Sequence, residues 1–113
     1  MIKKADLNEL KLLIIAHTDP VYHLPNRNFV ENALKKIDLV VEINAYEGSE
    51  TSKFAHIKIP ALSYGEKEGT QTNLDRTLTV AQAFSKRDDI LQDWQIFARL
   101  GQLLGYEKEF NYS

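Results

Sequence analysis

The sequence predicts an α/β fold, a small mostly parallel sheet with flanking helices, and three observations predict it. A nearly unbroken apolar run over Leu10 to Ala16 is followed by apolar residues at helical spacing from Phe29 to Ile37, and then by a second strand-like run, Leu39 to Ile43. Short apolar runs bounded by polar turns suit strands buried on both faces, and the helical segment between them supplies the crossover that parallel strands need.

The first run reads Leu-Lys-Leu-Leu-Ile-Ile-Ala and stops at His17-Thr18-Asp19-Pro20. Phe29, Val30, Ala33, Leu34 and Ile37 then make one apolar stripe, with Asn26 or Asn28 placed to cap the helix and Asp38 at its end. Strand, helix and strand form a right-handed βαβ unit, which gives the fold a Rossmann-like βαβ core. The loop from Asn44 leads to a short helix opening at Ser49 to Ser52 and ending near Ala55. His56-Ile57-Lys58-Ile59-Pro60 then reads as a third strand stopped by proline.

Residues 63 to 76 hold two glycines and many hydrogen-bonding side chains without a hydrophobic period, so they read as a structured loop. After an apolar stretch to Phe84, the charged run Ser85 to Asp89 is a surface connection. Ile90, Leu91, Trp94, Phe97, Ala98, Leu100, Gly101 and Leu104 follow at helical spacing, with Gly105 as terminator. Trp94, Phe97 and Leu104 read as core residues of this helix. The tail from Tyr106 has no identifiable partner, and residues 107–113 are expected to fray.

A chain of 113 residues reads as a single domain over 1–113, too small to house a multi-centre redox enzyme. Its 43% hydrophobic and 27% charged content are those of a soluble globular protein. A net charge of −2 supplies no basic field, so neither nucleic acid nor membrane is expected as a partner. No apolar run approaches the ~18 residues of a membrane span. Met1-Ile2-Lys3-Lys4 leads into acidic Ala5-Asp6-Leu7-Asn8-Glu9, not into the apolar region of a signal peptide, and a cytoplasmic location is expected. The chain has no cysteine, which excludes disulfides, thiolate-bound clusters and cysteine nucleophiles within it.

Ligands of open α/β sheets collect at the carboxyl ends of the strands. The loops at His17 to Asn26, Asn44 to Thr51 and Pro60 to Arg76 are therefore the candidate site. Neither a GxGxxG nor a GxxxxGK[ST] pattern is present, which disfavours ordinary nicotinamide and P-loop sites. His17, His23 and His56 have no metal-ligand spacing, so no metal is assigned. Glu66 and Glu68 straddle Lys67 with no nucleophile nearby, so no catalytic residue is assigned either.

The loops carry a pattern in order along the chain: Thr18-Asp19-Pro20 with Leu24-Pro25-Asn26, Ser49-Glu50-Thr51, and Ala55-His56-Ile57-Lys58-Ile59-Pro60-Ala61. It continues through Tyr64-Gly65-Glu66-Lys67-Glu68-Gly69-Thr70-Gln71-Thr72-Asn73-Leu74-Asp75-Arg76 and Asp93-Trp94-Gln95-Ile96-Phe97 to Leu104-Gly105-Tyr106. This pattern resembles the molybdopterin oxidoreductase family over roughly residues 10 to 106. Ala55-His56, where many members have Ala-Asp, is most similar to assimilatory nitrate reductases.

The resemblance implies a part of the domain that holds a molybdenum bis(molybdopterin guanine dinucleotide), in an enzyme reducing nitrate to nitrite. It implies cofactor contacts from Lys67, Thr70, Asn73 and Arg76, whose ammonium, hydroxyl, amide and guanidinium suit a pyrophosphate. It places Asp93, at the start of the last helix, against the adjacent N–H donors of a guanine edge. Asn44, Thr18 and Asp19 complete the implied set at the first two strand ends. Two departures stand out. Asn44-Ala45 replaces the acid common at the end of the second strand, and His17-Thr18-Asp19-Pro20 replaces Gly-x-Asn-Pro, putting a carboxylate where it repels phosphate.

The implied iron–sulfur cluster and molybdenum ligand have no cysteine here, so the resemblance implies a fragment, inactive alone, whose partners are the remaining domains of a parent oxidoreductase. Plainer roles stand beside these. Lys67 and Arg76 read equally as solvated charges, Asp93 as a first-turn helix acid, Asn73 as a turn closer and Thr70 as a residue bonding its own backbone. The alternatives are a molybdopterin-free structural module like that in the iron–sulfur subunit of respiratory complex I, or a free-standing nucleotide-binding protein.

Overall fold

Three parallel strands organise the first half of the chain: β1 (Leu12–Ala16), β2 (Leu39–Asn44) and β3 (Ile57–Pro60), in the order β1-β2-β3. In this computed structural model, which describes residues 1–85 and 87–111, Leu12 pairs with Leu39 and Ala16 with Ile43, while Val41 pairs with Ile57 and Asn44 with Pro60. The chain divides into two compact units, Met1–Pro60 and Ala61–Ser113.

The α/β expectation holds: the first unit is a three-stranded parallel sheet with helices beside it, and a small antiparallel sheet is added in the second. Central β2 is buried on both faces from Val40 to Ile43. β1 departs from its expectation, because as an edge strand it alternates: Leu13 and Ile15 are buried while Leu12 is 48% exposed.

The crossover helix, α3 (Arg27–Lys35), follows two short helices, α1 (Ile2–Asp6) and α2 (Pro20–His23). Asn26 caps α3 from a left-handed conformation (φ +60°), its side chain accepting from the Phe29 N–H at 3.3 Å. Val30, Ala33 and Leu34 face the sheet and join Leu13, Ile15 and Val40 in the core. Burying each large aliphatic there is worth about 1.5–3 kcal/mol.

α1 was not legible as a helix, yet it packs on α3 and buries Ala5 completely. Lys36, at the end of α3, fastens it further, donating to the Asp6 carboxylate at 2.7 Å. α2 forms inside the stretch read as a loop because Asp19 caps it, Pro20 opens it and Val21 is buried. The short helix expected after Ser49 is a single 3-10 turn, Thr51–Lys53.

The second unit corrects the reading of residues 63 to 76 as a loop. After a 3-10 turn at Tyr64–Glu66, the segment forms an antiparallel hairpin, β4 (Gly69–Thr72) with β5 (Leu78–Ala81). Gly69 pairs with Ala81 and Thr72 with Leu78. β4 is exposed along its length, so it carries no hydrophobic alternation for sequence reasoning to detect.

The last helix, α4 (Asp93–Leu103), opens with a capping box between Gln92 and Gln95 and ends at Gly105, whose φ of +94° is the left-handed position a glycine favours. Its buried residues are Ile96, Ala98 and Gly101. Trp94, Phe97 and Leu104, expected in the core, are 50%, 40% and 68% exposed. Helical spacing identified the apolar stripe correctly, but periodicity does not say whether a stripe is covered.

The tail that sequence left without a partner finds one as far as Phe110. A Cβ at Gly101 would lie 2.5 Å from the Phe110 ring, and Gln102 donates to the Phe110 carbonyl at 2.8 Å. Tyr112 and Ser113, expected to fray with the rest of 107–113, lie outside the described residues, as does Lys86 of the charged run.

Candidate functional site

At the carboxyl ends of β1 and β2, two carboxylates hold one short segment, Ser49 to Ser52. Asp19 accepts from the Glu50 N–H at 2.8 Å, the Thr51 N–H at 3.2 Å and the Thr51 hydroxyl at 2.6 Å, besides capping α2 through the Tyr22 N–H. Burial pushes the Asp19 carboxyl up, but the Thr51 hydroxyl and the three backbone donors outweigh it and hold it below the ordinary carboxylate value.

Glu42 grips the same segment from the centre of the sheet. Only 3% exposed, it accepts from the Ser49 and Ser52 hydroxyls, each at 2.5 Å. Ser49 also accepts from the Ser52 N–H at 2.9 Å. A buried carboxylate satisfied by hydroxyls is costly compared with an aliphatic residue, and it ties the loop after β2 to its own strand.

Sequence reasoning missed Glu42, Ser49, Thr51 and Ser52 as a unit. The visible signal was an acid inside an apolar strand, Val-Val-Glu-Ile, followed by Ser-Glu-Thr-Ser.

The expected residues of the first unit therefore have internal duties. Asp19 is engaged by four donors, and Asn44 accepts from the Tyr46 N–H at 3.3 Å. Thr18 is exposed beside Asp19.

In the second unit, two expected residues 26 positions apart meet: the Lys67 ammonium lies 2.6 Å from the Asp93 carboxylate, each side chain 31% exposed. Lys67 follows the turn capped by Ser63 and Glu66, whose carboxylate accepts from the Ser63 N–H and hydroxyl at 2.9 Å each. These two bonds, backbone first, hold Glu66 below the ordinary range. Gly65 admits the Phe84 ring, which a Cβ at that position would strike at 2.2 Å.

The other three expected residues sit on the hairpin. Asn73 closes it, donating to the Thr77 and Thr79 hydroxyls at 3.0 and 2.8 Å, while Asp75 accepts from the Thr77 N–H and hydroxyl. Arg76 occupies the left-handed turn position at φ +66°, and its side chain is exposed. Thr70 is exposed opposite Val80.

Two of the clefts among the described residues of this unit differ in character. One of about 290 Å³ is lined, among the described residues, by Glu66, Glu68, Arg87, Asp88 and Gln95, where carboxylates outnumber the guanidinium and disfavour an anion. The other, about 480 Å³, is apolar and lined by Trp94, Phe97, Ala98 and Phe110. Among the described residues, no cluster of three or more His, Asp or Glu is placed to hold a metal ion, and no helix is long and apolar enough to cross a membrane.

The chain is 37% identical over 105 residues to a nitrate reductase of Synechocystis sp., covering 92% of this chain and 15% of that protein. It is 34% identical over 114 residues to the assimilatory nitrate reductase catalytic subunit of Bacillus subtilis, covering 100% of this chain and 16% of that protein. The F420-dependent formate dehydrogenase subunit alpha of Methanocaldococcus jannaschii is 35% identical over 114 residues, covering 100% of this chain and 17% of that protein. The chain thus spans about a sixth of the length of these relatives. The sequence model of molybdopterin oxidoreductases matches residues 1–103, through the clasped strand ends, the Lys67 segment and the whole of the last helix. On that match the chain belongs to the molybdopterin oxidoreductase family.

Proposed function

We infer that this chain is the portion of a molybdenum oxidoreductase that holds the guanine dinucleotide of its molybdopterin cofactor, and that the parent enzyme reduces nitrate to nitrite. Family membership implies a molybdenum–pterin cofactor, and the relatives from Synechocystis and Bacillus carry nitrate reductase names. The formate dehydrogenase name of the Methanocaldococcus relative marks formate as the competing substrate. Nitrate assimilation follows the name of the Bacillus protein, and a cytoplasmic setting belongs to the same reading.

The observation that carries the reading is the Lys67–Asp93 pair. An ammonium for phosphate oxygens and a carboxylate for the adjacent N–H donors of guanine stand side by side, and that donor set fits a guanine nucleotide. In this role Lys67 binds phosphate, Asp93 orients the base, and Thr70 and Arg76 add exposed donors from the hairpin that Asn73 closes. Within the first unit, Thr18 is the exposed member of the implied set. Asp19 and Asn44 act by fixing the loops, since their side chains are engaged within the chain.

The bound molybdenum centre supplies the two-electron chemistry, and no residue here performs a step of it. With no cysteine in the chain, thiolate ligands for an iron–sulfur cluster come from polypeptide outside these residues. The partners are the remaining domains of the parent enzyme, and the isolated chain is inactive on nitrate.

Titration with GDP, followed by amide and side-chain chemical shifts, tests the reading. GDP is expected to shift Lys67 and Asp93 more strongly than ADP does. No response overturns it in favour of a structural module without the pterin, the reading that Ala45 favours by standing where an acid is common, and an equal response to ADP overturns it in favour of a free-standing nucleotide-binding protein.

A further inference from the structure

We propose that the Lys67–Asp93 ion pair is an internal latch on the nucleotide site: the Asp93 carboxylate occupies the ammonium that a phosphate would take, and the nucleotide opens the pair as it binds. This rests on the reading of Lys67 and Asp93 as phosphate and base contacts. The pair joins the segment before the hairpin to the first turn of α4.

At 2.6 Å the ammonium and carboxylate are in direct contact, and with 31% exposure each is largely shielded from water. Neither group is in its ligand-binding arrangement while it holds the other. A base alone must take Asp93 from its cation, and a phosphate alone must take Lys67 from its anion.

The exchange is inexpensive for the right ligand. A lysine ammonium is a compact charge with three donors on a flexible stem, so replacing a carboxylate oxygen by a phosphate oxygen needs only a side-chain rotation. The pyrophosphate of a dinucleotide carries one negative charge on each of its two phosphates, spread over several acceptor oxygens, so it offers the ammonium more acceptors than the single Asp93 carboxylate does. The released Asp93 then accepts from the base. A ligand bearing both groups replaces both halves of the pair at once, whereas either half alone leaves a partly shielded charge behind. The latch therefore discriminates for a complete nucleotide over free phosphate or free nucleoside.

Calorimetric titration of the chain with pyrophosphate, guanosine and GDP tests this, with folding of each variant verified by its amide spectrum. Breaking an ion pair of this exposure corresponds to a change of about two- to fivefold in affinity. Asp93→Asn is expected to bind pyrophosphate that much more tightly than the unmodified chain, because its ammonium is no longer held. Lys67→Met is expected to bind guanosine more tightly while losing pyrophosphate, and Lys67→Arg to retain the original order.

If the unmodified chain binds GDP but Asp93→Asn and Lys67→Met show no such opposite gains, the latch is refuted and the nucleotide reading stands. If no form of the chain binds GDP, both are overturned.

Discussion

Asp19 and Thr51, 32 residues apart, are joined twice: the threonine hydroxyl and its backbone N–H both donate to the same carboxylate oxygen, at 2.6 and 3.2 Å. The loop after β1 is thereby fastened to the turn after β2. The aspartate that the sequence placed among the implied cofactor contacts is, within the chain, the anchor that ties two strand-end loops together.

Removing that anchor has a pH signature. Asp19→Asn is expected to be less stable than the native chain by about 1–3 kcal/mol at pH 7, because an amide nitrogen replaces the oxygen that accepts from the Glu50 N–H and leaves that donor without its acceptor. The Asp19 carboxyl is held below its ordinary value, so its contribution is present above the unfolded-state pKa, about 4, and is lost as pH falls through the lower folded value. Urea unfolding at pH 7, 5 and 3 should show the gap between the two proteins narrowing with acid. A constant gap would contradict the assignment.

Glu42 should behave as a polar network, not as a packed side chain. Glu42→Val alone takes the carboxylate acceptor from the Ser49 and Ser52 hydroxyls, which lie 2.9 Å apart and can satisfy only one donor between them, and is expected to destabilise by about 1–3 kcal/mol. Combining it with Ser49→Ala and Ser52→Ala removes the stranded groups, and thermal melts should recover most of that loss. If the triple variant is no better than the single one, the hydroxyls are not what Glu42 serves.

Gly101 and Phe110 are coupled by space. Alanine at 101 adds helix propensity worth about 0.8–1 kcal/mol but drives a Cβ into the Phe110 ring. Gly101→Ala is therefore expected to give no gain in the native background and a gain of about that size in a Phe110→Ala background. A double-mutant cycle on melting temperature reads the difference, and additive effects would show that the ring does not seat there.

Arg76 combines an exposed guanidinium with a left-handed backbone, so its two roles separate. Arg76→Gly relieves the φ of +66° and should leave the hairpin at least as stable by amide exchange, whereas Arg76→Val should loosen it by about 1 kcal/mol or more. Any nucleotide affinity lost in the glycine variant then belongs to the guanidinium.

Most of the first unit was legible because its signals are local. The apolar runs at Leu10 to Ala16 and Leu39 to Ile43 and the stripe from Phe29 to Ile37 report burial against neighbours close in sequence. The Lys67 segment was legible as a motif, and so was Asp93.

What the sequence by itself determined was the βαβ core, a cap at Asn26 or Asn28, Gly105 as a stop and the membership of Lys67 and Asp93 in one family pattern. Only the tertiary structure decided that β4 is a strand, that Trp94 and Phe97 remain exposed, that Asp19 and Glu42 converge on Ser49 to Ser52, and that Lys67 holds Asp93. The physical reason is range. Periodicity and capping are set by residues a turn or a pleat apart, whereas the partner of a carboxylate and the cover over an apolar stripe are chosen by how the chain folds back on itself.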